Sequence, residues 1–231
     1  MHRLTSKFKL CLYLFFLIFL SSSFNFKLNE SYQNIFKLKI ININGLPHKE
    51  TKIVERVLNN FKNTNIFKIN EDNILKKLDK LKFLENIYVN KIIPSSININ
   101  LSKTSILGET QINGKRSYIG KNGKFINVNQ VSQPNNIPIV FGDFNVKDYI
   151  NLIKILKKYK LDIRNIDNFY YYKNNRWDLQ FSNGLTLMLP SNKLEDSIKI
   201  YKLLLKEGNL LNTKIVDLRV KDQIILTSNN E

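Results

Sequence analysis

FKLKIININGLPHKETKIVERVLNNFKNTNIFKINEDNILKKLDKLKFLENIYVNKIIPSSININL, residues 36–101, carries the alternations that set the fold. At its start Phe36, Leu38 and Ile40 alternate with Lys37 and Lys39, the period of a strand. The run ends in the turn signal Asn44-Gly45-Leu46-Pro47. Ile53, Val54, Val57, Leu58 and Phe61 then recur at helical spacing, and polar Asn63-Thr64-Asn65 closes that helix. Asn70 is placed to cap a second helix with Glu71 and Asp72 in its first turn, where acids suit the positive dipole end, and with Ile74, Leu78 and Leu81 on its buried face. Two more strands follow at 87–93 and 97–101, split by Pro94-Ser95-Ser96. In the second, Ile97, Ile99 and Leu101 face one way and Asn98 and Asn100 the other. The expected order is β-α-α-β-β.

Downstream the pattern changes. Short strands around 117–119 and 124–128 flank Asn122-Gly123, the preferred pair for a tight hairpin. Pro134, Pro138 and Gly142 mark a connector into a helix striped by Tyr149, Leu152, Leu156 and Tyr159. Then come Phe169 to Tyr172, the alternating Trp177, Leu179 and Phe181, a turn at Asn183-Gly184, and Leu185, Leu187 and Leu189. Ser191 or Asn192 is expected to cap a last helix with Leu194, Ile198, Tyr201 and Leu205 on one face, closed by Gly208. Strands at 214–220 and 223–227 complete a second mixed domain, expected as a curved antiparallel sheet flanked by helices. The fold class is α+β.

Upstream, residues 1–9 hold Arg3, Lys7 and Lys9 and no acid, and residues 10–26 hold no charge. The basic flank predicts a cytoplasmic N-terminus with everything after Lys27 exported. Seventeen helical residues reach about 25 Å, short for a bilayer. A transmembrane helix over 10–26 behind a tail of 1–9 is expected. The alternative is a signal peptide cleaved near Ser21-Ser22-Ser23, which leads to the same compartment.

With 36 Lys and Arg against 19 Asp and Glu the formal charge is +17, yet 43% of residues are hydrophobic, enough for a buried core. The chain has no alanine and is rich in Asn, Lys, Ile and Phe, residues of A/T-rich codons, so part of its basicity reflects codon usage. His2 and His48 are too few for a multi-histidine metal site. Cys11 alone makes neither an internal disulfide nor a thiolate zinc site. Asp143, Asp148, Asp162, Asp167 and Asp178 follow no repeating spacing, and there is no Gly-x-Ser-x-Gly or phosphate loop. No enzyme, cofactor or metal is expected. Tyr170-Tyr171-Tyr172 with Lys173 and Arg176 reads either as a stacking platform for single-stranded nucleic acid or as a strand with one tyrosine turned inward; export argues against nucleic acid. The lysines at 154, 157, 158 and 160, and at 199, 202 and 206, suit helix C-termini and solvated faces.

Gln223-Ile224-Ile225-Leu226-Thr227 is an apolar run with no charge or proline. At a sheet edge it is an unprotected template for another strand; in a sheet interior it is plain core. In 216–220 a period of two sends Val216, Leu218 and Val220 to one face. Asp217 and Arg219 share the other, either as a pair or as contacts for a partner.

The β-α-α-β-β unit behind an anchor resembles a POTRA domain, and the chain as a whole resembles the FtsQ family of cell-division proteins, called DivIB in Gram-positive bacteria. The resemblance rests on Ile43-Asn44-Gly45, Asn65-Ile66-Phe67-Lys68-Ile69-Asn70, Leu84 to Val89 and Pro94 in the first half. In the second half it rests on Tyr118-Ile119 with Asn122-Gly123-Lys124-Phe125, Pro138-Ile139-Val140-Phe141-Gly142, Trp177-Asp178-Leu179 with Gly184, and Val216-Asp217-Leu218-Arg219-Val220. Ser102-Lys103-Thr104 stands where the family usually closes the POTRA domain with an acidic-basic pair, and Val220 where it often has an aromatic. The resemblance implies a POTRA domain over 35–105 and an FtsQ-type β domain over 106–228, in a non-catalytic, single-pass inner-membrane protein. Its exported domain is periplasmic and sits at the division septum. It implies binding of FtsB, and through it FtsL, with septal synthesis by FtsW and FtsI regulated downstream, and with a strand from FtsB added at the C-terminal edge. Asp217, Arg219, Val220, Gln223, Ile224, Ile225, Leu226 and Thr227 are then the partner-binding residues. The alternative is a POTRA-bearing membrane-assembly or export factor that binds extended client segments, which calls for a membrane β-barrel the chain has no room for.

Overall fold

The computed structural model describes residues 6–23, 34–208 and 210–228. Helix α1 (Ser6–Ser23) begins inside the expected tail. Residues 24–26 of the expected span lie outside the described residues. Among the described residues no helix is long and apolar enough to cross a membrane. The apolar stretch of α1 runs from Leu10 to Leu20, so it covers about 16 Å of a hydrocarbon core about 30 Å thick.

The first sheet holds β1 (Ile40–Asn44), β2 (Leu84–Ile92) and β3 (Ser96–Lys103) in the order β1-β3-β2, with β3 parallel to β1 and antiparallel to β2. Helices α2 (His48–Leu58) and α3 (Glu71–Leu78) put Val54, Leu58, Ile74 and Leu78 into a core with Ile97, Ile99 and Leu101. On the opposite face amides pair across strands: the Asn42 side chain donates to Asn98 at 2.8 Å and that of Asn44 to Asn100 at 3.2 Å. Asn70 caps α3 as expected, its Oδ1 accepting from the Asp72 N–H at 2.9 Å. Gly45 turns the chain out of β1 at φ +89°, where an added Cβ would sit 2.1 Å from the Leu101 carbonyl oxygen. The first strand starts four residues later than its alternation predicts. Fully buried Leu38 is drawn into the core, and residues 36–38 bond instead to residues 63–66.

The second sheet has nine strands: β4 (Ile106–Ile112), β5 (Lys115–Gly120), β6 (Phe125–Asn127), β7 (Ile139–Phe141), β8 (Ile166–Tyr172), β9 (Arg176–Phe181), β10 (Thr186–Met188), β11 (Thr213–Asp217) and β12 (Ile225–Ser228). Their order is β12-β11-β10-β9-β8-β7-β4-β5-β6. This sheet is mixed and not antiparallel as expected, because β4–β7, β7–β8 and β10–β11 pair in parallel. Two of those pairs follow from helical crossovers, α4 (Val146–Lys158) between β7 and β8 and α5 (Leu194–Glu207) between β10 and β11, which return the chain in the same direction. The helices bury Tyr149, Leu152, Leu156, Ile198 and Tyr201 with Trp177, Leu179, Leu187 and Val216.

The two sheets share packing. Tyr118, Ile126 and Val131 of the second region lie in the core of the first. The Asn122 side chain donates to the carbonyls of Lys82 at 3.0 Å and Leu84 at 3.2 Å. Beside this plug lies Glu50 of α2, 0% exposed, whose carboxylate accepts from Lys103 Nζ at 2.6 Å and from the Ser132 N–H and hydroxyl at 2.9 and 3.1 Å. Burial pushes the Glu50 pKa up, but Lys103 and the Ser132 N–H outweigh it and leave the carboxyl below its ordinary value.

Candidate functional site

The nine-stranded sheet has two ends of opposite character. At one, the three-residue β6 pairs with β5 and turns Ile126, fully buried, into the first core. At the other, β12 pairs with β11 alone among the described strands, and every residue of β12 is exposed. Its register sets Ile225 opposite Asp217, Leu226 opposite Val216 and Thr227 opposite Ile215. Ile225 is 43% exposed although apolar. The outer side of β12 is therefore a line of main-chain groups flanked by apolar side chains.

Gln223 and Ile224, expected within this strand, lie in the loop before it, and 218–220 lie beyond the end of β11. Asp217 is the cause. Its Oδ1 accepts from the backbone N–H of Arg219 at 3.0 Å, folding the chain out of the ladder. The Arg219 guanidinium then grips the same carboxylate, Nε at 2.8 Å and Nη2 at 2.6 Å. This fork holds the Asp217 pKa below its ordinary value and raises that of Arg219. Asp217 and Arg219 are paired with each other across the turn. Val220 and Ile224 stay exposed in the loop.

A cleft of about 920 Å³ opens between that loop and the start of α5. Leu218, Val220, Ile224 and Ile200 supply apolar wall, and Arg176, Arg219, Lys193 and Lys221 outnumber Asp196 and Asp222 on its rim. Under the rim lies Asp178, 3% exposed, with Oδ1 and the neighbouring Arg176 Nε lacking hydrogen-bond partners. Burial pushes the Asp178 pKa up against the pull of Arg176 and Arg219. The register explains the gathering: Asp178 and Asp217 both stand opposite Met188 on β10, one from each side.

Two family models match this chain: "POTRA domain, FtsQ-type" over residues 36–104 and "Cell division protein FtsQ/DivIB, C-terminal" over residues 110–219. The chain belongs to the FtsQ/DivIB family of cell-division proteins. Cell division protein FtsQ of Rickettsia bellii is 28% identical over 189 residues, covering 81% of this chain and 70% of that one. Cell division protein DivIB of Staphylococcus aureus is 21% identical over 170 residues, covering 71% and 38%. The major extracytoplasmic domain of DivIB from Geobacillus stearothermophilus aligns over 48% of this chain and 99% of its own with 11% identity and a TM-score of 0.34, a likeness that adds nothing to the fold described above.

Within this FtsQ/DivIB chain the residues singled out from sequence fall into two sets. Ile225, Leu226 and Thr227 line the edge, while Asp217, Arg219, Val220, Gln223 and Ile224 form the turn and loop that bound the cleft beside it. Arg176 and Asp178 were not singled out for this site. The only sequence signal for them is a mirrored pattern, Arg-x-Asp at 176–178 and Asp-x-Arg at 217–219. The three tyrosines divide as a strand requires. Tyr171 packs on Trp177 with centroids 4.8 Å apart, Tyr170 stacks on Phe141 at 5.1 Å, and the Arg176 guanidinium sits 4.4 Å over the Tyr172 ring.

Proposed function

We propose that this division protein is a non-catalytic scaffold that captures an extended segment of an FtsB-like partner, and through it an FtsL-like one, by adding a strand to β12. The downstream effect is on septal cell-wall synthesis by FtsW and FtsI. Residues 10–26 serve as the single membrane anchor, with the remainder periplasmic at the septum. The observation that carries the reading is β12, exposed along its whole length, led by Ile225 and Leu226, and paired with β11 alone among the described strands at the end of the nine-stranded sheet. Strand addition supplies main-chain hydrogen bonds, and alternate side chains set specificity. The cationic excess on the adjoining rim favours a partner segment with acidic residues flanking its strand.

The test is calorimetric titration of the full chain in detergent with the exported segment of the FtsB-like protein from the same genome. Saturable binding is expected. Ile225→Glu sets a carboxylate opposite Asp217 and in the path of an acidic partner, and should abolish it. Ile225→Lys faces Asp217 with the opposite charge and should keep β12 docked and binding measurable. No heat of binding between folded proteins, or undiminished affinity in Ile225→Glu, overturns the reading.

A further inference from the structure

Three segments meet at one end of the POTRA domain. The Phe36 carbonyl accepts from the Ile66 N–H at 2.8 Å, and the Ser95 carbonyl accepts from the N–H groups of Lys39 and Ile40 at 2.8 and 3.2 Å. Lys91 donates from Nζ to the Ile69 carbonyl at 2.6 Å, which ties the last residues of β2 to the same group. The register sets this end apart from the second sheet. β1 and β3 start here and β2 finishes here, with Ile40 and Ile92 both opposite Ser96. Leu84 pairs with Lys103 at the far end, where the Asn122 side chain plugs in.

This end is apolar where it is most exposed. Phe67 is 62% exposed and Ile93, in the turn between β2 and β3, is 61% exposed, with Ile35, Ile92 and Pro94 also at the surface. The Phe67 ring leans on Phe36, centroids 5.3 Å apart. Residues 34–40, 63–69 and 90–96 hold Lys37, Lys39, Lys68 and Lys91 and no Asp or Glu; the next acids along the chain, Glu71 and Asp72, lie in the first turn of α3. An apolar tip rimmed by cations alone fits an anionic bilayer surface, because the apolar side chains enter the headgroup boundary while the ammonium groups reach phosphates. Lipid is also within reach. α1 ends at Ser23 and residues 34–36 belong to this patch, so the chain between them spans at most about 38 Å.

Given the anchor proposed for residues 10–26, we propose that this end of the POTRA domain docks on the anionic outer surface of the membrane that holds the anchor. Phe67 and Ile93 enter the boundary between headgroups and acyl chains, and Lys39 and Lys68 meet the lipid phosphates. Anchor and tip together then fix the tilt of the domain. With this end down, the far end of the first sheet, where the second sheet joins, lies on the side away from lipid.

The test uses the full chain with Cys11→Ser as background and a bimane label at Ile93→Cys, in nanodiscs of phosphatidylcholine and phosphatidylglycerol with a nitroxide on part of the lipid near the glycerol. The nitroxide should quench this label and leave a label at exposed Asn183→Cys, in the turn between β9 and β10, bright. Quenching at 93 should fall in phosphatidylcholine alone and at high salt. Phe67→Glu should abolish it. Lys39→Gln and Lys68→Gln, at exposed positions that leave the core untouched, should each lower the docked-to-free ratio about fivefold. An anchored chain quenched no more at 93 than at 183, or quenching that the lysine variants leave unchanged, overturns the proposal. So does a label shielded in detergent increasingly as protein concentration rises, which assigns the patch to a second copy. Alkaline extraction from phosphatidylcholine vesicles reads the anchor separately, and a chain extracted from them overturns the anchor reading alone. Flotation with the anionic vesicles then decides the docking face: retention lost in Phe67→Glu supports it, and no retention of the parent overturns it.

Discussion

Removing the Glu50 carboxylate should loosen the first sheet and its junction with the second before it loosens the second sheet. Its two oxygens accept three bonds, from one ammonium, one backbone N–H and one hydroxyl, all contributed by segments 53 or more residues away. Glu50→Ala strands the Lys103 ammonium, whose side chain is 22% exposed, and leaves the Ser132 N–H unpaired. Breaking a buried pair by removing one partner costs about 3–5 kcal/mol, and the partial exposure of Lys103 puts the expected loss near 3. Glu50→Gln keeps the volume and one acceptor and should cost about 1–2 kcal/mol. The assay is urea unfolding followed by two probes. The fluorescence of Trp177 reports the second core, and far-UV circular dichroism reports both sheets. The parent should give coincident curves; Glu50→Ala should shift the dichroism curve to lower urea ahead of the fluorescence curve. Because the folded-state pKa of Glu50 is depressed, its contribution is present in full above the ordinary glutamate range and is lost as the pH falls through the folded value. The Glu50→Gln variant should therefore lose less stability than the parent on acidification. A shift under about 0.5 kcal/mol in Glu50→Ala, with coincident curves, would refute the reasoning.

Two further outcomes follow from the geometry. Gly45→Ala forces a Cβ to within 2.1 Å of the Leu101 carbonyl at φ +89° and should cost at least about 2 kcal/mol, seen as a lowered urea midpoint; an unchanged midpoint would mean the turn has another conformation. Asp217→Asn keeps the side-chain oxygen that accepts from the Arg219 N–H but discharges the fork, so the protein should lose about 1 kcal/mol or less at neutral pH, while its loss of stability as the pH falls from the ordinary aspartate range through the depressed Asp217 value becomes shallower, checked by unfolding at stepped pH.

The first sheet was legible because each of its elements announces itself locally: a period of two in 97–101, a period near 3.6 in α2, a cap at Asn70. Connectivity hid the second sheet. β4 mixes Gly108, Glu109, Thr110 and Gln111 without clean alternation, and β7 is three residues of an apparent connector. Asn113-Gly114, with both residues at positive φ, was the available sign of the β4–β5 hairpin, the same pair that marks 122–123 and 183–184. The start of α5 departs from the expected cap at Ser191 or Asn192 because Lys193, at φ +54° and with no side-chain cap, precedes the helix. The ends of the last two strands depend on one aspartate bending its own backbone, which alternation does not encode. Glu50 was readable in principle: it leads the buried series Glu50, Val54, Leu58 on α2, an acid at the head of an apolar stripe. Its partner explains the family departure at 102–104, since the Lys103 there finds its acid on a helix and not beside it in sequence.

The bare β12 margin is a place where the nine-stranded sheet can lengthen. Whatever strand docks on β12 becomes the new margin, with its own far side turned to solvent. The recruit must therefore bring its own terminator, such as a proline, a bulge or a lysine on the outward row, or each assembly would seed the next. On the proposed strand addition, the burden of keeping the complex finite falls on the recruit's sequence, and the length of its docking segment sets how far the shared sheet extends along that margin.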